Sequence, residues 1–325
     1  MSDGLRLLVT GASGFLGTAI VAKAVEAGHV VRGLSRHKPP AASIEWSVAD
    51  ICEPGQLASA MRGIDCVIHT AGAAHIFWPT PSDAARMHAI NAEGARNVAR
   101  AAAAAGVRRM VAVSSIKVYG SAHTGPRDER VACHPDSAYG RTKYQGELWS
   151  LEEGERTGME VVALRMTALY GPGDAGNMAR MIRMVDRGRW IWIGAGDNRK
   201  SFTHVSDAAD ACLLSALTPG LAGPFNVAVE HRSVREMVAG ICQALGARMP
   251  ALRVPRGLAL GGARAVSALS FANPKLGALV AQIENLTADE LYPGLKFGHA
   301  TGFAGRVPFQ AGISQEVGWY HSCRS

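Results

Sequence analysis

Gly11-Ala12-Ser13-Gly14-Phe15-Leu16-Gly17 decides the fold of this 325-residue chain, because of what stands on either side of it. Before it runs Leu5–Val9, a short apolar stretch that reads as a strand. After it, Phe15–Ala27 carries a helical pattern. A strand feeding a helix through three glycines has the physics of a dinucleotide loop. Glycine allows the tight turn and lets backbone approach a pyrophosphate, while the helix start offers free N–H groups and a partial positive charge. The spacing is G-x-x-G-x-x-G, and Gly11, Ser13, Gly14, Phe15, Leu16 and Gly17 are the expected cofactor contacts.

The pattern continues downstream. Apolar runs at His29–Leu34, Ile44–Val48, Cys66–His69, Met110–Val113 and Glu160–Leu164 alternate with helical segments, the clearest being Asn91–Ala105 and Tyr139–Thr157. Continuous apolar strands separated by helices imply a parallel sheet covered on both faces, a doubly wound α/β (Rossmann) fold that binds ligands at the carboxyl ends of its strands. After Arg165 the pattern loosens, beginning with Gly171-Pro172-Gly173. We expect an NAD(P)-binding Rossmann domain over residues 1–165 and a smaller α+β substrate-binding domain over residues 166–325. The chain should return to the first domain around residues 202–229.

The end of the second strand bears on cofactor choice. An NAD site places Asp or Glu about 20 residues past the glycines, to bind the ribose 2′-hydroxyl. Here the segment is Gly33-Leu34-Ser35-Arg36-His37-Lys38, with no acid and two cations. A guanidinium at Arg36, with Ser35 beside it, suits a 2′-phosphate, so NADP is favoured and NAD is the alternative. Asp50-Ile51, after the third strand, is placed to hold the adenine.

Three residues carry the chemistry. Ser115 ends the fifth strand, and Tyr139 and Lys143, spaced i, i+4, share one face of the following helix. A free phenol has a pKa of about 10, too high for an efficient base at neutral pH. A neighbouring ammonium and a positive nicotinamide ring both favour the phenolate, and a tyrosine brought towards neutrality becomes a proton shuttle. Ser115 would donate to the substrate oxygen as charge grows there. The pattern predicts hydride transfer to or from a secondary alcohol carbon.

Bulk composition excludes other classes. Hydrophobic residues make up 48% and charged residues 19%, which is globular and far from disordered. The net charge of +7 contains no concentrated basic stripe, which argues against nucleic-acid binding. The six cysteines are scattered without metal-ligand spacing, so no metal is expected, and they suit a reducing compartment. Leu5–Val9 leads straight into the glycine turn, unlike a targeting peptide, which points to the cytoplasm. Leu252–Phe271 is apolar but holds Arg253, Arg256 and Arg264. It falls short of a membrane span and reads as an amphipathic helix packed on the protein's own core, with a membrane-surface helix as the alternative.

With these residues in place, the chain resembles an extended short-chain dehydrogenase/reductase, the superfamily of NAD-dependent epimerases and dehydratases, in its nucleotide-sugar-like branch. The resemblance covers nearly the whole chain. It is carried by Gly11–Gly17, Asp50-Ile51, Val67–Ala71, Asn91–Asn97, Ser114–Gly120, Tyr139–Lys143, Leu164-Arg165, Tyr170–Gly173, Phe202–Asp207 and a closing Gly312–Tyr320 segment. It implies that Ser115, four residues before the Val-Tyr-Gly tyrosine, is the catalytic serine. It also implies that Ala71, Gly72 and Ala73 line the cofactor, that Asn91 joins them, that Lys143 binds the nicotinamide ribose, and that the chain forms a homodimer. Asn177, Arg199 and Lys200 stand where nucleotide-sugar members address a diphosphate, with Lys200 in place of the family's arginine. The substrate implied is a nucleotide-diphosphate sugar, for a dehydrogenase, 4-keto reductase or 4-epimerase. Two alternatives remain. One is an NADPH-dependent reductase or dehydrogenase of a sterol-like or natural-product ketone, which Asn198, Phe202 and the apolar Leu252–Phe271 segment would suit, with Trp78, Trp190 and Trp192 as pocket walls. The other is a non-catalytic NADP-sensing protein, against which the retained Ser115, Tyr139 and Lys143 argue.

Overall fold

The computed structural model describes residues 4–39, 43–74, 79–121, 125–269 and 279–323. The first half runs β1 (Arg6–Thr10), α1 (Phe15–Glu26), β2 (Val30–Ser35), β3 (Glu45–Val48), α2 (Ala58–Met61), β4 (Cys66–His69), α3 (Pro81–His88), α4 (Gly94–Ala104), β5 (Arg109–Ser115), α5 (Ala138–Thr157) and β6 (Glu160–Met166). A π turn, Ala89–Glu93, joins α3 to α4, and a 3-10 turn, Ile116–Tyr119, follows β5. The strands begin and end within two residues of the apolar runs that predicted them, because strands buried on both faces have almost no polar position to blur their ends.

The second half runs β7 (Ala168–Tyr170), α6 (Asn177–Asp186), β8 (Trp192–Ile193), β9 (Arg199–His204), α7 (Val205–Leu217), β10 (Gly223–Val227), β11 (Glu230–Ser233) and α8 (Val234–Leu245). It closes with β12 (Arg253–Val254), α9 (Arg256–Leu269), α10 (Leu279–Thr287), α11 (Leu295–Thr301) and α12 (Phe309–Ser322).

Seven parallel strands form the main sheet in the order β3-β2-β1-β4-β5-β6-β10. One apolar core, with Leu7, Val9, Ile20, Val111, Leu164 and Cys212, packs α1 and α7 on one face. A second, with Leu8, Leu34, Val67, Val98 and Met110, packs α2 and α4 on the other. The chain order reverses between β1 and β4, the switch point at which doubly wound sheets bind their ligands. The glycine loop and residues 70–74 follow those two strands.

A three-stranded sheet, β7-β9-β11, and helices α6, α8 and α12 enclose a third core of Tyr170, Ile182, Trp192, Phe202, Ile241 and Ile313. Phe202 and Trp192 therefore belong to a packed interior and not to pocket walls. The Trp192 indole donates to the Pro250 carbonyl at 2.8 Å, and Trp190 packs edge-on against it. Trp78 and Phe271 lie outside the described residues. The helix expected to pack on the core does so only thinly. Among the described side chains of α9, Ala263 alone is buried, and Leu258 is 70% exposed.

Candidate active site

The glycine loop is built for close approach. Gly11 sits at φ +69°, and its N–H donates to the Leu34 carbonyl at 2.8 Å. A Cβ on Gly17 would lie 2.1 Å from the Gly11 carbonyl oxygen, so only glycine lets α1 close onto the turn. Gly14 stands at the N-cap of α1 with no capping side chain, which leaves the first-turn N–H groups to an anion. Ser13 and Gly14 are exposed beside Phe15, while Leu16 and Ile51 point into the two main cores and offer a ligand chiefly backbone. This donor set fits the pyrophosphate of a dinucleotide.

At the outer rim, Ser35 donates its hydroxyl to the His37 carbonyl at 2.6 Å, and Arg36 is exposed. One Asp50 carboxylate oxygen accepts the Cys52 N–H at 2.9 Å. Burial, then Asp50, push the Cys52 thiol up to about 11, and the Arg36 guanidinium opposes them, so these groups share one rim. On the inner side, the Asn91 amide accepts the Ala73 N–H at 2.7 Å and donates to the Ala73 carbonyl at 3.0 Å and to the Thr142 hydroxyl at 3.1 Å. Asn91 is 1% exposed. Its side chain clamps the Ala71–Ala73 loop to α5.

Ser115 and Tyr139 meet at the carboxyl edge of the sheet. The Ser115 hydroxyl accepts the Lys117 N–H at 3.2 Å and favours the Tyr139 phenolate. Ser137 caps α5 by accepting the Gly140 N–H at 3.0 Å, which fixes the first turn that carries Tyr139. A Cβ on Gly140 would lie 2.5 Å from the Lys117 carbonyl oxygen, so glycine there lets α5 start hard against the 3-10 turn. Burial raises the phenol above its ordinary value, and Ser115 and then Lys117 oppose it. Lys117, which the sequence pattern did not single out, is thus a cation acting on the phenol.

Lys143 is buried and donates to the Val113 carbonyl at 2.5 Å. Burial brings its pKa down to about 8, with Glu147 opposing. Glu147 lies one further helical turn along the same face and was missed from sequence. It accepts the Ser114 hydroxyl at 2.5 Å and forms a buried ion pair with Arg165 at 2.6 Å, and Arg165 also donates to the Tyr119 hydroxyl. The extension of Tyr-x-x-x-Lys by x-x-x-Glu was its only sequence signal. Ser114 is thereby committed to Glu147, which leaves Ser115 as the serine at the cleft. Behind Lys143, a cavity of about 10 Å³, enough for one water molecule, is lined by His69, Asn91, Ser114, Lys143 and Glu147. Burial, then Lys143, hold His69 down at about 3, so it is neutral.

The expected substrate contacts are less free than their types suggest. Asn177 is exposed at the first turn of α6, after Gly176. Arg199 donates to the His231 carbonyl at 2.6 Å. Lys200 pairs with Glu290 at 3.0 Å and donates to the Asn285 carbonyl at 2.7 Å. Lys117 pairs with the same Glu290 at 2.5 Å. Burial pushes the Glu290 carboxyl up, but Lys117 and Lys200 outweigh it and hold it at about 2.

Residues 7–228 match the family model described as the NAD dependent epimerase/dehydratase family. An N-acetyl-alpha-D-glucosaminyl-diphospho-ditrans,octacis-undecaprenol 4-epimerase of Escherichia coli O157:H7 is 25% identical over 96% of this chain and 94% of its own length. A 2-alkyl-3-oxoalkanoate reductase of Stenotrophomonas maltophilia (strain K279a) is 30% identical over 75% of this chain and 76% of its own. Among solved structures, MoeE5 in complex with UDP-glucose and NAD superposes with a TM-score of 0.79 at 25% identity, covering 98% of this chain and 100% of that one.

Proposed function

The chain belongs to the NAD dependent epimerase/dehydratase family, and from that premise we propose that it moves hydride at a secondary alcohol carbon of a nucleotide-diphosphate sugar. The meeting of Ser115 and Tyr139 at the carboxyl edge of the sheet, together with a glycine loop whose free N–H groups fit a dinucleotide pyrophosphate, supports this reading. When bound, the nicotinamide supplies the hydride acceptor or donor. The Tyr139 phenol takes the proton of the substrate hydroxyl and returns it to the carbonyl oxygen, and the Ser115 hydroxyl donates to that oxygen. Lys143, held by Val113, presents positive charge from beneath. Residues 1–165 would hold the cofactor and residues 166–325 the sugar nucleotide, with Asn177 the most accessible polar candidate and Arg199 and Lys200 reaching it only by leaving their present partners.

For the cofactor we propose NAD, reversing the NADP expected from Arg36. The family description and the MoeE5 complex both name NAD, and Arg36 shares its rim with the Asp50 carboxylate. Titrating both dinucleotides tests this. Tighter binding of NADP that is lost in Arg36→Ala would restore the opposite choice.

A second reading follows from the Stenotrophomonas relative, whose name describes reduction of a non-sugar ketone. Incubating the protein with a panel of UDP-sugars and with 2-alkyl-3-oxoalkanoates separates the two. Epimer formation, or reduced cofactor appearing with a UDP-sugar, supports the sugar reading. Turnover confined to the oxoalkanoates overturns it. We also propose a homodimer in the cytoplasm, which the mass in solution and cell fractionation would test.

A further inference from the structure

Residues 243–283 contain no Asp or Glu, yet hold Arg248, Arg253, Arg256 and Arg264. The helix at the centre of this stretch, α9, turns Ala259, Leu260 and Ala263 inward and packs beside α10. Its opposite face carries Leu258, Gly262, Ala265 and Val266, all exposed, where an ordinary surface helix is polar. Leu252 is 61% exposed and Met249 43%. The pairing of β12 with β8 sets Arg253 opposite Trp192, so the exposed Ile191 borders the same patch. All four arginines of the stretch are exposed, with Arg256 bonded to Thr287 of α10.

We propose that this face docks on an anionic lipid bilayer, with α9 lying in the headgroup region and the arginines on lipid phosphates. Exposed apolar side chains and exposed arginines in one stretch that itself holds no acid are complementary to a negatively charged interface. A second copy of the chain is a poor occupant, because a two-fold contact would set arginine against arginine. The described part of the patch is aliphatic, without the Tyr and Trp anchors that dominate protein interfaces. No helix among the described residues is long and apolar enough to cross a membrane, so the contact is peripheral.

The patch also adjoins the active site. Arg256 donates to the Thr287 hydroxyl at the end of α10, and the carbonyls of Asn285 and Leu286 accept from Lys200 and Asn198. Lys200 shares Glu290 with Lys117, two residues from Ser115. A bilayer against α9 would lie at the substrate end of the cleft, whichever substrate is used.

Co-sedimentation of the full chain with vesicles tests the proposal. The protein should pellet with phosphatidylcholine vesicles containing phosphatidylglycerol, and weakly with phosphatidylcholine alone. Binding should fall on the order of tenfold in high salt, in the double variant Arg253→Glu/Arg264→Glu and in Leu258→Asp. All three side chains are exposed, so melting temperatures should stay at wild-type values and show that the fold is intact. Failure to pellet with anionic vesicles overturns the proposal, as does equal pelleting of the variants. Light scattering without vesicles closes the remaining route: loss of a wild-type oligomer in Leu258→Asp would make the face an interface between copies.

Discussion

The ammonium of Lys143 donates to the carbonyl of Val113 at 2.5 Å, reaching from α5 to the strand that ends two residues later in Ser115. Burial lowers this lysine to about 8, with Glu147 opposing, against 10.5 in an unfolded chain. Between those values the unfolded chain holds more protons, so stability rises as pH goes from about 8 towards 10.5. Below pH 8 the buried charge costs its full amount. Lys143→Met should therefore raise the melting temperature of the cofactor-free protein at neutral pH while turnover falls. An unchanged or lower melting temperature would show that the Val113 bond outweighs the burial cost.

Tyr139 presents a related test. Without cofactor, burial holds the phenol above its ordinary value, opposed by Ser115 and Lys117. Oxidised nicotinamide adds positive charge, so the phenolate should form at lower pH in the complex than in the free protein. The check is the ultraviolet phenolate signal of wild type minus Tyr139→Phe, titrated with and without NAD. Identical curves would remove the phenol from proton transfer. Tyr139→Phe itself should lose on the order of 10²–10⁴-fold in kcat while binding cofactor almost normally.

Glu147 shows how the site is braced. It is 3% exposed and carries both Arg165 and Ser114. Glu147→Ala strands the Arg165 charge and should cost roughly 3–5 kcal/mol in urea unfolding. Glu147→Gln keeps one acceptor oxygen and the side-chain volume and should fold, but with Ser115 less well placed: kcat should drop more than KM rises. A Gln variant with wild-type kcat would confine Glu147 to folding.

At the other end of the molecule, Glu316 on α12 is fully buried and accepts the Gly171 N–H at 3.0 Å. Burial, then Asp174, raise its carboxyl to about 9, with the Gly171 bond opposing. Because the folded value exceeds the unfolded one, the associated stability is complete below about 4.5 and is lost as pH rises through 9. The melting temperature of wild type should fall more steeply over that window than that of Glu316→Gln. Parallel curves would mean the carboxyl is ionised when folded.

What the sequence determined by itself was the sheet and the identity of the reacting groups. Strands buried on both faces must be continuously apolar, a loop that closes a helix onto a turn must be glycine, and a tyrosine four residues before a lysine must share its helical face; each is a local rule written in neighbouring residues. Tertiary structure decided which charges are spent. Lys200 looks free in the chain but meets Glu290, distant in sequence, through the pairing of β9 with that segment. Asn91 reaches across to hold Ala73, and Lys117 joins the groups acting on the phenol. Coulomb energy and hydrogen bonding depend on distance and burial, and residues far apart in the chain acquire both only when the fold brings them together.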